Sequence, residues 1–163
     1  MRLFVIGLLA LMVFARPGPA AADAQFDADL AILTACLADN AGKGAEQAAP
    51  CVGLVSEPCI GKAIGGEALD IAVACHERET ALWDHLLNLV YDDFRQDTAP
   101  DVFTALRDAQ RAWIAFRDAD CAFPRAAFYD FPEGRPVASA CLQAHTARRV
   151  GELRHFFDVT PKG

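Results

Sequence analysis

The stretch LDIAVACHERETALWDHLLNLVYDDF, residues 69–94, decides the fold because it carries the strongest helical pattern in the chain. Its apolar residues recur at intervals that place them on one face of an α-helix. These residues are Trp83, Leu86 or Leu87, Val90, Tyr91 and Phe94. The sequence therefore predicts a long amphipathic helix from about Leu69 to Phe94, with this face turned toward a core.

Three other segments show helical spacing. The first covers residues 26–38, with leucines at positions 30, 33 and 37. The second follows Pro100, where Asp101 is placed to cap it, and ends near Cys121. The third runs from about Val137 to Phe157. Because no alternating strand pattern competes with these helices, the sequence predicts an all-α, disulfide-tied antiparallel helical bundle.

The chain divides into three sections. Residues 1–24 open with Arg2, continue through an apolar run of about 12 residues and reach small residues, as in a secretory signal peptide. The run is shorter than the ~20 residues of a membrane-spanning helix, so no membrane anchor is expected after cleavage. Residues 25–68 hold a helix and an irregular Cys/Gly/Pro-rich segment, and residues 69–160 form the helical domain.

Two cleavage points and one alternative modification fit the beginning of the chain. Cleavage before Gln25 is favoured over cleavage before Asp23. The tetrapeptide at residues 33–36 superficially matches a lipoprotein acylation site ending in Cys36. Charged residues separate that tetrapeptide from the apolar run, and acylation would leave an odd number of cysteines, so the sequence disfavours lipidation.

Composition indicates the compartment and the kind of partner. The formal net charge is −7, and removal of residues 1–24, with two arginines and one aspartate, makes it −8. An acidic surface argues against nucleic acid as a partner and favours a basic protein or serves solubility alone. The six cysteines are typical of an oxidising environment, so a periplasmic or secreted protein is expected.

The six cysteines are expected to form three intramolecular bonds, for which fifteen pairings are possible. Cys121 and Cys141 lie on either side of a Pro/Gly-containing loop, and a bond between them would clamp two antiparallel helices. The short separation between Cys51 and Cys59 favours a second bond. That choice leaves Cys36 to pair with Cys75.

No motif specifies catalysis, a metal site or a cofactor. The sequence His76-Glu77 begins like a zinc-protease motif, but position 80 is Thr80 instead of a second histidine. Cys-x-x-Cys spacing, a phosphate-binding glycine loop and an ordered nucleophile–base set are all missing from the sequence. We therefore expect a protein that is not an enzyme and has no cofactor.

Charged and aromatic residues on the apolar stripes are expected to define the contacts between helices. Arg117 and Arg149 lie on or beside these stripes, where a charge needs a partner. Asp84 and Glu79 are the candidate partners, and Arg149 is expected to pair with one of them. Trp83 and Trp113 are expected to be buried together in the core shared by the two long helices.

Residues 70–155 resemble the LprI-type lysozyme inhibitor domain, a family of small exported bacterial proteins. The most specific run is AQRAWIAFRDADC at residues 109–121, which follows a first motif around Cys75 and precedes a third around Cys141. The motif residues are Glu79, Trp83, Asp84, Asn88, Tyr91, Arg111, Trp113, Arg117, Asp118, Thr146 and Arg149. The section holding Cys36, Cys51 and Cys59 is similar to an N-terminal extension of some members.

The resemblance implies an all-α disulfide-bonded fold and a binding protein that inhibits lysozyme without chemistry of its own. Its partner would be a basic lysozyme, toward which an acidic chain is steered. The alternative is a periplasmic structural or interaction domain with another partner. Inhibition of cell-wall lysis by the purified protein separates these two readings.

The segment at residues 122–136 is the candidate contact surface because it is unusually aromatic for a loop. Arginine and aromatic side chains are the types that most often dominate interface energetics. The possible partner contacts are Arg125, Phe128, Tyr129 and Arg135. The alternative is that the aromatic side chains fold back and cover the end of the bundle.

Overall fold

The computed structural model describes residues 19–62, 67–128 and 131–162, and within these ranges it contains helices and no strand. Its elements are α1 (Pro19–Asp39), a 3-10 helix (Gly44–Cys51), α2 (Ser56–Ile60), α3 (Ala68–Asp97), α4 (Pro100–Ala127) and α5 (Gly134–Val159). The predicted all-α class and disulfide-tied bundle are therefore confirmed. Residues 1–18, which hold most of the proposed signal, lie outside the described ranges.

Helix α3 contributes the largest share of the buried apolar side chains, as its apolar periodicity predicts. It ends at Asp97 because Thr98 is extended and Pro100 begins the next helix. The buried face of α3 packs mainly against α5, from which Ala147, Val150 and Leu153 enter the core. Burial of each large apolar side chain contributes about 1.5–3 kcal/mol, so this pairing is the main source of stability.

The N-terminal section covers one side of the α3–α5 pair. Leu33 and Leu37 of α1 and Ala48 of the 3-10 helix are fully or almost fully buried in the same core. Gly151 of α5 permits the close approach, since a Cβ atom there would clash with the carbonyl oxygen of Ala45. The side chain of Gln47 donates to the Gly151 carbonyl at 3.3 Å and closes the contact.

Helix α4 lies on the outside of the bundle, where it packs on α5 far more than on α3. This position corrects the expectation for the two tryptophans: Trp83 is fully buried, whereas Trp113 is only partly buried. Asp101 does not cap α4, which begins at Pro100 after Ala99 and has no side-chain cap. None of the helices in the described ranges is long and apolar enough to cross a membrane.

The disulfides join consecutive cysteines: Cys36 with Cys51, Cys59 with Cys75, and Cys121 with Cys141. The predicted Cys121–Cys141 bond is confirmed, whereas the Cys51–Cys59 and Cys36–Cys75 pairs were wrong. The short sequence separation of Cys51 and Cys59 was not a guide to their pairing, because the 3-10 helix brings Cys51 back to α1 and α2 brings Cys59 to α3. Since Cys36 is in a disulfide, its sulfur is not available for acylation.

We expect peptide mapping of the unreduced protein to recover these three pairs and no free thiol. Each bond closes a loop of 15 to 20 residues, so replacing both cysteines of one pair with serine should cost about 3 kcal/mol. Denaturant unfolding measures this cost. Recovery of a Cys51–Cys59 peptide pair would contradict the arrangement.

Candidate functional site

A groove of about 400 Å³ lies where α3, the end of α4 and the beginning of α5 meet. Two of the four predicted contact residues, Arg125 on the last turn of α4 and Arg135 on the first turn of α5, line it together. The remaining lining residues are Val73, Glu77, Thr80, Ala81, Asp84, Ala138, Ser139 and Leu142. The groove therefore combines two arginines with an apolar and partly acidic floor.

The two arginines differ in the ion pairs that they form. Arg135 pairs with Asp70 of α3 at 2.7 Å, and both side chains are about half exposed. None of the ion pairs found among the described residues includes Arg125. A guanidinium in this position can donate to carboxylate or carbonyl oxygens of a partner.

Three phenylalanines that are close in sequence to Arg125 and Arg135 are exposed. Phe123, Phe128 and Phe131 expose 69%, 41% and 65% of their surface. Phe123 and Phe131 are mostly exposed, so the covering role expected as the alternative does not apply to these two. Tyr129, the fourth predicted contact residue, lies outside the described residues.

The predicted loop is shorter than its sequence suggested. Helix α4 continues to Ala127 and α5 begins at Gly134, so Arg125 and Arg135 lie on helices. The Cys121–Cys141 bond, with its Cα atoms 5.4 Å apart, holds these helix ends together. Both arginines are thus presented by fixed backbone, which lowers the entropy cost of binding a partner.

Glu79 connects the N-terminal section to α3. Its fully buried carboxylate accepts backbone hydrogen bonds from Gly53 (2.8 Å), Val55 (3.0 Å) and Ser56 (2.8 Å) and one from the indole N–H of Trp83 (3.0 Å). Burial alone would raise the pKa of Glu79, but these four hydrogen bonds outweigh it and hold the pKa below its ordinary value. Glu79 is therefore a buried structural anion and not the expected partner of Arg149.

Arg149 and Arg117 flank Trp113, and Arg117 also forms an ion pair with Asp84 of α3, one of the two expected partners. Arg149 donates to Gln110 at 2.5 Å and pairs with Glu152 at 3.0 Å, which corrects its expected pairing with Asp84 or Glu79. The expected pairing was wrong because the carboxylate of Glu152 lies one turn away from Arg149 on the same helix.

Asp84 faces Arg117 at 3.8 Å. Arg117 also pairs with Asp118 at 2.9 Å and donates to the hydroxyl of buried Thr146 at 3.4 Å. Its guanidinium lies 5.0 Å from the centre of the Trp113 ring, a cation–π distance. This cluster joins α3, α4 and α5.

The other motif residues do not gather into one site. Asn88 is exposed, and Tyr91 is partly buried against Phe103, with ring centres 5.1 Å apart. Arg111 and Asp118 lie on the exposed surface of α4. The motif thus marks a scaffold more than a single functional centre.

One cluster brings potential metal ligands together, but its sulfurs are bonded. Atoms of Asp120, Cys121, Cys141 and His145 lie within 4.8 Å of one another. The two sulfurs form the third disulfide and therefore offer no thiolate. His145 and Asp120 remain, and they are hydrogen-bonded to each other at 2.9 Å.

The floor of the groove was not predicted from the sequence. Residues Val73, Glu77, Thr80 and Asp84 recur at intervals of three and four and thus share one face of α3. That spacing could have indicated a shared polar face of α3, but the opposite face has a stronger apolar pattern and was the one interpreted. Nearby, the Nδ1 atom of His76 and the hydroxyl of Ser139 are hydrogen-bonded at 2.9 Å. Burial lowers the pKa of His76.

The fold defines a small, disulfide-bonded helical protein. The family model described as "Lysozyme inhibitor LprI" matches residues 59–153, which is more than half of the chain. The chain belongs to the LprI family. At the level of the family it is therefore an inhibitor domain and not an enzyme.

No curated protein and no solved structure matches the chain. The family match begins at Cys59, so it includes the Cys59–Cys75 and Cys121–Cys141 bonds and excludes the Cys36–Cys51 bond. The N-terminal section, α1 with the 3-10 helix, lies outside the matched region.

Proposed function

We propose that this protein is exported and inhibits a lysozyme by direct contact, with no chemistry of its own. The observation that carries the proposal is the groove that Arg125 and Arg135 line together, on a chain of the LprI family. Lysozymes hydrolyse their substrate with two carboxylic acids in a cleft. An arginine inserted beside those acids would neutralise them and exclude the substrate.

Charge supports a basic lysozyme as the partner. The chain carries a net charge of −7, which becomes −8 without residues 1–24. Such a protein attracts a basic enzyme over several ångströms and raises the association rate, most strongly at low salt. The local arginines then match the acidic cleft, while the overall acidity matches the rest of the enzyme surface.

Export is the part of the proposal that concerns residues 1–24. The favoured cleavage before Gln25 falls near the beginning of α1, where residues 22–25 are exposed. Among the residues that the structure describes, Phe26 is the first that packs on the core, so this cleavage point precedes the described core contacts. Mass measurement of the exported protein should show a chain beginning at Gln25.

The groove is tested by replacing Arg125 and Arg135 with alanine, singly. Each change removes a charge-assisted contact, so we expect the inhibition constant against a basic lysozyme to rise about tenfold or more. Arg95→Ala is the matched control, because Arg95 is also an exposed, ion-paired arginine and lies at the C-terminal end of α3, away from the groove lining. The measurement is cell-wall lysis by a panel of lysozymes at several inhibitor concentrations.

Stability must be measured on the same variants. The arginines are exposed or half exposed, so their substitution should change the free energy of unfolding by no more than about 0.5 kcal/mol. Undiminished inhibition by both variants would place the contact elsewhere on the protein. Failure of the unmodified protein to slow any lysozyme would overturn the function itself.

A further inference from the structure

Helix α3 carries three carboxylates along the face that forms the floor of the groove. Asp70, Glu77 and Asp84 are seven residues apart, so they lie almost in line on one side of the helix. All three residues are exposed. Glu77 and Asp84 line the groove directly, and Asp70 pairs with Arg135, which lines it as well. A partner that enters the groove therefore meets acids as well as arginines.

The outer two acids of this row have arginine partners, and the middle one does not. Asp70 pairs with Arg135 at 2.7 Å, and Asp84 faces Arg117 at 3.8 Å. Glu77 is in none of the ion pairs found within residues 19–62, 67–128 and 131–162. Its carboxylate lines the groove with its charge uncompensated by any of these pairs, as the guanidinium of Arg125 also does.

The contacts between α3 and α4 place Arg125 near the level of the middle acid. Tyr91 contacts Phe103, and Asp84 faces Arg117, so α4 runs back along α3. Seven residues before Asp84 on α3 is the middle acid, and seven residues after Arg117 on α4 is the residue next to Arg125. One acid and one base thus lie across the groove from each other without forming an ion pair.

We propose that Glu77 binds a basic side chain of the lysozyme while Arg125 binds an acidic one beside it, and that this pair determines which lysozymes are inhibited. The inference rests on the proposed function and deepens it. It assigns to Glu77 a role in specificity, whereas the proposed function uses only the arginines of the groove.

Electrostatic complementarity gives the reason for the selection. A lysozyme that presents only its catalytic acids to the groove is attracted by Arg125 but repelled by Glu77, because like charges across an interface weaken binding. A lysozyme with a basic side chain next to those acids satisfies both residues. Specific binding commonly combines such an attraction toward the right partner with a repulsion of the wrong one.

The test is the inhibition of a panel of lysozymes by Glu77→Gln, which removes the charge with little change in size. We expect the inhibition constant against the basic lysozyme that is inhibited best to rise about fivefold or more. Glu46→Gln is the matched control, because Glu46 is an exposed glutamate of the 3-10 helix that does not line the groove. It changes the net charge equally, so it should stay within about twofold of the unmodified protein if only long-range attraction is lost.

The panel also tests selectivity. Glu77→Gln should inhibit the poorly inhibited lysozymes better than the unmodified protein does, because the repulsion is removed. The double variant Glu77→Gln/Arg125→Ala tests whether the two residues contact separate groups of the enzyme. If they do, the increases in the inhibition constant multiply, whereas two residues that only pair with each other give a double variant no weaker than Arg125→Ala alone.

The outcomes separate this inference from the proposed function. Glu77→Gln that inhibits the best-inhibited lysozyme as strongly as the unmodified protein, or more strongly, overturns the inference, as does a double variant no weaker than Arg125→Ala. If Arg125→Ala alone is still weakened, the proposed function stands. An unmodified protein that inhibits no lysozyme overturns both. Glu77, Arg125 and Glu46 are exposed, so thermal unfolding should show an unchanged fold for every variant.

Discussion

Replacing Glu79 with glutamine is expected to destabilise the protein by about 3–5 kcal/mol. The carboxylate satisfies four buried donors, three of them backbone N–H groups of residues 53–56. Glutamine offers one acceptor oxygen and adds an amide that also needs partners, so buried donors are left unsatisfied. The 53–56 segment should then detach from α3.

Glu77→Gln is the matched control, because Glu77 lies on the same helix but is exposed. It should change the free energy of unfolding by no more than about 0.5 kcal/mol. Denaturant unfolding followed by circular dichroism compares the two variants. Equal midpoints would mean that the Glu79 hydrogen bonds contribute little, contrary to our expectation.

The lowered pKa of Glu79 determines how the stability of the protein changes at acidic pH. Because the pKa of Glu79 is lower in the folded protein than its ordinary value of 4.5, its contribution is complete above pH 4.5 and is lost as the pH falls through the folded value. His76 also has a lowered pKa, so its contribution is lost earlier, as the pH falls below 6.5. Glu79→Gln should remove the acid-dependent loss below pH 4.5 and leave the earlier one.

Truncation of the two tryptophans should have clearly different effects. Trp83→Ala removes a fully buried ring from the α3–α5 core and a donor to Glu79, so we expect a loss of about 3–5 kcal/mol. Trp113→Ala removes a partly buried ring on the outer helix and should cost only about 1–2 kcal/mol.

Thermal and denaturant unfolding of the two alanine variants measure the difference. The substitutions at positions 79 and 83 share a hydrogen bond, so their combined effect should be smaller than the sum of the two. Equal losses for the two tryptophan variants would show that α4 is embedded more deeply than its packing on α5 indicates.

The sequence predicted most of the helical architecture, because apolar spacing records which face of a helix is buried. This held for α3 and α5, whose buried faces follow the pattern. It failed for the end of α4, which was predicted near Cys121. The helix passes through Pro124 and continues to Ala127, and the N–H of Phe128 still bonds to the Pro124 carbonyl at 3.0 Å.

Non-local contacts were the part that the sequence did not specify. The three backbone donors to Glu79 come from a segment without periodicity, and backbone N–H groups leave no trace in residue identity. The presence of Arg125 and Arg135 in one groove was partly predictable, since both lie between Cys121 and Cys141. The α3 residues beneath them became evident only when the helices were placed together.

The order of the disulfides has a consequence for how the protein matures. The cysteines are joined first to second, third to fourth and fifth to sixth along the chain. A chain that is oxidised while it emerges with its N-terminus first can therefore close each native bond as soon as the second cysteine of the pair appears. A general thiol oxidase would suffice for such a protein, and maturation should not depend on a disulfide isomerase.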